Sequence, residues 1–412
     1  MTGWTQSAEF DTTNKPSVWS VANDVYHQTT RTLEQTQDGY QLGVFSVWEY
    51  VHSDMDLRAR LRVDRPDNFE PGVTGIIFAM QDNDNYYRFT MSRHSSYHRL
   101  EKKVGGVFTE LASSSASVLV GEWMNVRIVA QNGVIVIQVN GQPALAASDS
   151  TFLGGKIALW NSWIAEASYD KVAVLSAPPA GLIGFTTPPP LHVFREGSVT
   201  VRVAATQPVT GIEYVVDDGS QAAQVQKIFS APYRADFDFI SSGTHAVTAY
   251  ALENNGARSP GADAIISLPS IGVFGKQIVS IGDSITNGVF DDIVADDASA
   301  DGRFNSGGFQ AILNNRLTQS AGVPVTVFDK SNPGDKAADG VTKINRMLSA
   351  HAQADAVLIM YGTNDTEATS VDPGVAVADY TSQMRAIVDA AITATSSAKI
   401  FLARIPPVIG RP

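Results

Sequence analysis

The hydrophobic period of this chain changes once, near Pro269, and the change limits the folds open to it. Before it, apolar residues recur at every second position in short runs. After it, apolar runs alternate with stretches of helical spacing. Period two sends successive side chains to opposite faces of a sheet, whereas apolar residues three and four apart line one face of a helix. A length of 412 residues also exceeds one ordinary domain. The chain therefore reads as three units, 1–176, 177–269 and 270–412.

In the first unit, "DMDLRARLRV" places Met55, Leu57, Ala59, Leu61 and Val63 on one face. "GVIVIQVNGQPA" is a strand followed by the hairpin turn Asn140-Gly141. Strands arrive at near-regular spacing with turn residues between them, the pattern of an antiparallel sandwich. "SDMDLRARLRV", "GIIFAMQDNDNYYRF", "GEWMNVRIVAQNGVIVIQVNGQPA", "GGKIALW" and "SYDKVAVL" together resemble a concanavalin A-like (laminin G-like) jelly roll over roughly residues 10–176. That resemblance implies a module able to bind polysaccharide. Trp160 and Trp163 are candidates for stacking on sugar rings, with core packing as the simpler reading. Trp19, Trp48 and Trp123 read as sandwich core, and "YHRLEKK" as a solvated strand or turn. Asp82-Asn83-Asp84-Asn85 reads as a plain turn rather than a calcium site, and Asp170 is a weaker calcium candidate.

Prolines 178, 179, 188, 189 and 190 cannot sit inside a central strand, so they mark a linker. Residues 198–268 alternate again and resemble an immunoglobulin-like sandwich that spaces its neighbours. Beyond Pro269, "KQIVSIG", "VTVFDK", "DAVLIMYG" and "KIFLARI" read as strands. "GFQAILNNRL", "VTKINRML" and a long helix opening at Asp372-Pro373 lie between them. Strictly alternating strands and helices build a parallel sheet with right-handed crossovers, covered by helices on both faces. The whole is a multidomain chain: a jelly-roll sandwich, an immunoglobulin-like sandwich, and a three-layer α/β unit.

Open parallel sheets carry their sites at the carboxyl ends of the strands. Here the first three strands are followed by Gly282-Asp283-Ser284, by Ser331-Asn332-Pro333-Gly334 and by Gly362-Thr363-Asn364-Asp365. Ser284 is a hydroxyl nucleophile at a helix start. The N–H groups of Ser284 and Gly334 and the amide of Asn364 are donors for a developing oxyanion. Asp283 reads as a brace for the turn. Asp365 reads as a loop brace too, and is the substitute base if one is needed.

"GDSITNG", Gly334 in "SNPGDK" and "YGTND" in this order closely resemble the SGNH (GDSL-type) hydrolase family, whose fold is flavodoxin-like. The resemblance implies Ser284 as nucleophile, with Gly334 and Asn364 completing the oxyanion hole, and no cofactor or metal. "GGFQAILNNRL" and "FLARIPPVI" further resemble carbohydrate-esterase members, which implies deacetylation of O-acetylated polysaccharide or oligosaccharide. The family's Asp-x-x-His block is not matched. Histidines stand at 27, 52, 94, 98, 192, 245 and 351, none after Asn364, and His351 reads as surface. The expectation is a C-terminally truncated form of a longer enzyme with impaired hydrolysis. The alternatives are a pair of glycan-binding modules carrying an inactive hydrolase fragment, or a lipase or thioesterase of the same family.

A net charge of -12 disfavours nucleic acid and anionic membranes as partners, and no apolar run is long enough for a spanning helix. With no cysteine there is no disulfide or thiolate site. Composition suits a secreted protein, although no signal peptide is visible at the start of the sequence. The acidic segment 291–308 reads as a solvated loop beside Ser284.

Overall fold

The computed structural model describes residues 3–9, 17–29, 34–37, 39–64, 72–92, 97–116, 118, 121–162, 166–175, 182–217, 219–220, 223–238, 241–288, 309–366, 373–395 and 397–404. The segment 291–308, Trp163, His94 and Asp372 lie outside them.

Two seven-stranded antiparallel sheets form the N-terminal sandwich. One runs, in spatial order, Trp4–Ala8, Val44–His52, Gly155–Ser162, Val73–Asp82, Asn85–Ser92, Tyr97–Val104 and Val107–Ser115. The other runs Gln142–Ser148, Val134–Val139, Met124–Gln131, Met55–Val63, Ala167–Leu175, Val25–Gln28 and Trp19–Ala22. Met55, Leu57, Ala59, Leu61 and Val63 all face the core between them, as their alternation predicts. Asn140 and Gly141 both take positive φ, at 52° and 75°, which is the hairpin geometry that an Asn-Gly pair favours. Asp82 and Asn85 pair across a tight turn in which Asp84 N–H and the Asn85 amide both donate to the Asp82 carboxylate.

One sequence expectation fails on this sheet face and a simpler reading holds: "YHRLEKK" is a buried strand rather than a solvated one, and Trp160 is core, with no exposed surface on which a sugar could stack. The reason is a buried charge network. Arg88 lies between the rings of Trp160 and Phe108, 4.3 and 4.4 Å from their centroids. Its guanidinium pairs with Glu101 at 2.7 Å and Glu9 at 3.3 Å and donates to the Gln41 carbonyl at 3.0 Å. Glu9 in turn accepts from the Trp160 indole, the Gly43 N–H and the Tyr86 hydroxyl. Buried charges persist where each is paired and hydrogen-bonded. Of the residues assigned to the core, Trp19 is buried, and Trp48 packs against the core from its edge. Trp123 is instead only half-buried, clasped by the guanidinium groups of Arg60 and Arg62 at 4.7 and 4.6 Å.

The middle unit has a three-stranded sheet (Ile183–Thr187, Ser198–Ala205, Arg234–Asp238) and a five-stranded one (Val193–Phe194, Ile265–Val273, Gly243–Leu252, Gly211–Val216, Gln224–Ile228). Ile183–Thr187 occupies part of the expected linker, because the prolines flank this strand and leave its own ladder intact. The Ile265–Val273 strand runs through the expected boundary at 269/270. Its register shifts between the His245–Ile271 and Val247–Leu268 pairs, so Pro269 falls in a bulge where no ladder N–H is needed.

The C-terminal unit is a four-stranded parallel sheet: Lys276–Gly282, Val325–Asp329, Ala356–Met360 and Lys399–Leu402, first to fourth in sequence. Their spatial order is second, first, third, fourth. Helices are α1 (Ser284–Asn287), α2 (Phe309–Ala321), α3 (Ala337–Leu348) and α4 (Pro373–Ala394). The chain steps one way to the second strand and then reverses. Right-handed crossovers therefore put α2 on one face of the sheet and α3 and α4 on the other. Ile344, Met347, Leu348, Ile387 and Ala391 bury the α3–α4 face against Val279, Ile281, Val357 and Ile359. Among the described residues, no helix is long and apolar enough to cross a membrane.

Arg88→Met should destabilise the protein by ~3–5 kcal/mol, because it removes the buried guanidinium that Glu9 and Glu101 share. Arg234→Ala breaks an ion pair exposed on both sides, at 51% each, and should cost under about 1 kcal/mol. Urea denaturation of both variants checks the contrast.

Candidate functional site

Three turns meet at the carboxyl edge of the parallel sheet, and each is bonded to another. Asn332 N–H donates to the Gly282 carbonyl at 2.9 Å, joining the second turn to the first. The Asn364 amide donates to the Asp335 carbonyl at 2.9 Å, and Ala337 N–H to both Asp365 oxygens at 3.1 Å, joining the third turn to the second. The Thr286 hydroxyl reaches the Met360 carbonyl at 3.4 Å, joining the first turn to the third strand. Ser284, Gly334 and Asn364 are thus brought to one edge. Ser284 and Asn364 are half-buried, and Gly334 is exposed at φ 84°.

Local sequence explains each turn. Gly282 ends the first strand with no room for a side chain. A Cβ there would lie 2.0 Å from the Thr286 hydroxyl and 2.3 Å from the Met360 carbonyl. Asp283 caps α1, its carboxylate accepting Ile285 N–H at 2.9 Å, so it braces the turn as expected. Burial pushes its carboxyl above the usual range, and the charge of Asp365 adds to that, against the bonds from the Ile285 and Thr286 N–H groups. The helix Ser284 opens is a single turn closed by left-handed Gly288, so its dipole is weaker than the expectation of a helix start implied. Asp365 is a loop brace: it holds the start of α3.

A buried polar frame stands behind these turns. Asp335 pairs with Lys343 at 2.6 Å and accepts the Asn332 amide at 2.6 Å. Burial pushes the Asp335 carboxyl up to about 6, against the pull of Lys343 and Asn332. Asp329 accepts the Asn287 amide at 2.8 Å and Ser331 N–H at 2.8 Å, and burial likewise raises it to about 6. Gln310 on α2 donates to Ser280 Oγ at 3.0 Å and to the Thr286 carbonyl at 2.6 Å. The Tyr380 hydroxyl on α4 donates to the Tyr361 carbonyl at 2.9 Å. Sequence reasoning missed this frame. One signal for it exists: Lys343 occupies the same face of α3 as Gly340, Ile344 and Met347, where a charge needs a partner.

His351 departs from its expected surface position. It is 7% exposed and packs on Phe328 at 4.5 Å between ring centroids. It precedes the third strand, at the opposite end of that strand from Asn364. His27, His52 and His98 belong to the sandwich sheets, and His245 to the five-stranded sheet. Among the described residues no hydrogen bond joins a histidine to Ser284, and no cluster of three or more metal-ligating side chains exists.

Two family models match parts of this chain. The family model for GDSL-like lipase/acylhydrolase matches residues 278–412, and that for the 3-keto-alpha-glucoside-1,2-lyase-like domain matches residues 1–175. No curated protein matches the chain. Among solved structures, the carbohydrate-binding module CBM66 from Bacillus subtilis is 18% identical, with 43% of this chain and 97% of that chain covered at a TM-score of 0.35. AlinE4, an SGNH-hydrolase family esterase, is 21% identical, with 33% of this chain and 64% of that chain covered at a TM-score of 0.25. TesA is 23% identical over 32% of this chain and 63% of its own length, at a TM-score of 0.24.

Gly282→Ala should cost roughly 1–3 kcal/mol through overpacking of the first turn, read by thermal or urea unfolding. Lys343→Met should move the Asp335 carboxyl above about 6, since the lysine's charge is what lowers it. Because the folded carboxyl then titrates further above its unfolded value, stability falls more steeply as pH rises from about 4 through 6 in the variant. Carbon-detected NMR titration and denaturation at both pH values read the two effects.

Proposed function

We propose, from the premise that residues 278–412 are a GDSL-type (SGNH) lipase/acylhydrolase domain, that this chain hydrolyses carboxylic esters with Ser284 as nucleophile. The observation that carries the reading is the bonding of the three turns to one another, which fixes a hydroxyl and three donors at one sheet edge. Ser284 Oγ attacks the acyl carbonyl and forms a tetrahedral oxyanion. The N–H groups of Ser284 and Gly334 and the second N–H of the Asn364 amide are the donors for it. The first N–H of that amide is committed to the Asp335 carbonyl, so the amide plane is preset before substrate arrives. Collapse expels the alcohol and leaves an acyl-serine, which water then releases. The proton that Ser284 loses ends on the departing alkoxide, so acylation balances as ester plus serine giving acyl-serine plus alcohol.

The substrate we propose is an O-acetylated polysaccharide or oligosaccharide, with acetate as the leaving acid. Support comes from a GDSL-like lipase/acylhydrolase unit and a 3-keto-alpha-glucoside-1,2-lyase-like sandwich in one chain, a pairing that suits a secreted enzyme acting on glycans. With Trp160 enclosed, the sugar-stacking surface moves to Tyr50, 62% exposed and edge-on to Trp48 at 5.7 Å.

The test is hydrolysis of 4-nitrophenyl acetate, 4-nitrophenyl decanoate and acetylated xylan by the full chain. Acetyl substrates should be preferred. Ser284→Ala should abolish turnover, and Asn364→Ala should lower kcat roughly a hundred- to a thousandfold with KM little changed. Preference for the decanoate points to a lipase or thioesterase instead. No turnover, together with retention on a xylan gel, points to a glycan-binding protein.

A further inference from the structure

A cavity of about 390 Å³ lies where the three units meet, and none of Ser284, Gly334 and Asn364 lines it. Its size suits a small ligand, since such pockets span ~300–1,000 Å³. Its apolar wall is drawn from all three units: Ile137 and Leu145 of the sandwich, Phe185 and Leu268 of the middle unit, and Phe328 of the α/β unit. Pro189, Ser349 and Ala350 line it too and are exposed or half-exposed, which places its mouth there.

The polar wall contains an unmet group. His351 lines the cavity, is 7% exposed, and has neither ring nitrogen hydrogen-bonded. Burial pulls the ring down to about 3, and the charge of Lys330 adds to that, so the imidazole is neutral. A neutral imidazole carries one N–H donor and one acceptor nitrogen. Burying both without partners costs free energy, and a ligand that pairs them recovers it. Gln41 adds a second donor: its Oε1 accepts the Tyr97 hydroxyl at 3.3 Å, and among the described residues its amide N–H groups have no acceptor. The charged part of the wall is engaged with itself. Arg99 pairs with Glu110 at 3.0 Å and Glu101 at 3.3 Å, and Glu110 accepts the Ser113 hydroxyl at 2.6 Å. Lys330 and Arg346 lie in the field of the same Glu110. A ligand charge of either sign therefore meets its like in this wall.

We infer that this cavity is a second ligand site, for a neutral saccharide of one or two rings whose hydroxyl groups pair with the two nitrogens of His351. A hydroxyl both donates and accepts, as the neutral imidazole requires, whereas a carboxylate only accepts and an ammonium only donates. The two nitrogens lie on different edges of the imidazole, so a ligand with several hydroxyls serves both and a simple alcohol serves one. The C–H face of the sugar lies against the apolar wall of Phe185 and Leu268, and Gln41 donates to a further oxygen. Mixed walls of this kind suit a ring with polar edges and an apolar face. The inference does not depend on ester hydrolysis.

Nitrogen-15 NMR of the His351 ring in the full chain, titrated with D-glucose, D-galactose, D-xylose and cellobiose, tests it. At least one of these sugars should shift both ring nitrogens saturably and with one-to-one stoichiometry. Cyclohexanol, a ring with a single hydroxyl, should bind at least about tenfold more weakly than that sugar, having one hydrogen bond to offer His351 rather than two. His351→Phe keeps a ring against Phe328 but has no ring nitrogen, and should weaken the sugar roughly ten- to hundredfold in calorimetry, as expected for loss of two hydrogen bonds. His351→Gln, which keeps a donor and an acceptor, should restore most of the affinity; a merely structural role for the ring would not predict that. Ser284→Ala should leave binding unchanged, which separates this site from the ester site. Ring nitrogens that none of the four sugars shifts, the result for a cavity holding water only, overturn the inference. So does cyclohexanol binding as tightly as the sugar, or undiminished affinity in His351→Phe, which would put the sugar elsewhere on the chain. Should His351→Phe not fold, the titration of the wild-type ring decides by itself.

Discussion

The first strand of the parallel sheet is paired on both edges and ends in a residue with no side chain. The candidate site depends on that closure. Gly282 lets the Met360 carbonyl and the Thr286 hydroxyl close over the strand end, where any Cβ would collide with both. Ser284 is consequently held two residues beyond a fixed point rather than on a free loop. The second and third turns are then tied to it through Asn332, Asp335 and Asn364. Preorganisation of this kind matters because donors aimed at a developing charge help only if they need not reorient during reaction.

Buried charge is the second organising device. In the sandwich, Arg88, Glu9 and Glu101 fill a sheet face that period-two alternation would otherwise leave to solvent or to sugar. In the α/β unit, the Lys343–Asp335 pair holds the Gly334 turn from behind. Lys343 also reaches Gln35 of the N-terminal unit at 3.5 Å, and Arg346 lies over Tyr40 at 5.2 Å. Further contacts tie the middle unit to its neighbours: Arg127 to Asp263 at 2.6 Å and Arg195 to Asp355 at 2.6 Å. Such partly exposed pairs contribute little energy each. Their geometric consequence is larger, since they fix how the units face one another and so create the cavity beside Lys330.

How much of this the sequence reveals depends on the range of the forces involved. Strands and helices of the C-terminal unit follow from local apolar period, and the three turns follow from the rule that parallel sheets carry sites at their carboxyl ends. Asp283 is legible as a brace, because an acid next to a helix start has an obvious local partner, whereas the partner of Asp365, the Ala337 N–H at the start of α3, is one that only the fold identifies. "YHRLEKK" and His351 are not legible. Their burial comes from distant segments: Glu9 and Gln41 around the first, Phe328 around the second. The strand through Pro269 shows the same limit, since the bulge that accommodates proline is set by its partner strand. Lys343 lies between these cases, a charge on an apolar helix face whose partner only the fold identifies.

The claim at the centre of this account is that Ser284 is an activated nucleophile within a preformed oxyanion site. Intact mass spectrometry after treatment with a fluorophosphonate tests it most directly, because the reagent reacts with activated serines and mimics the tetrahedral intermediate. The account predicts a single adduct, absent in Ser284→Ala and slowed in Asn364→Ala. No adduct on the folded chain, or an adduct that persists in Ser284→Ala, would contradict it.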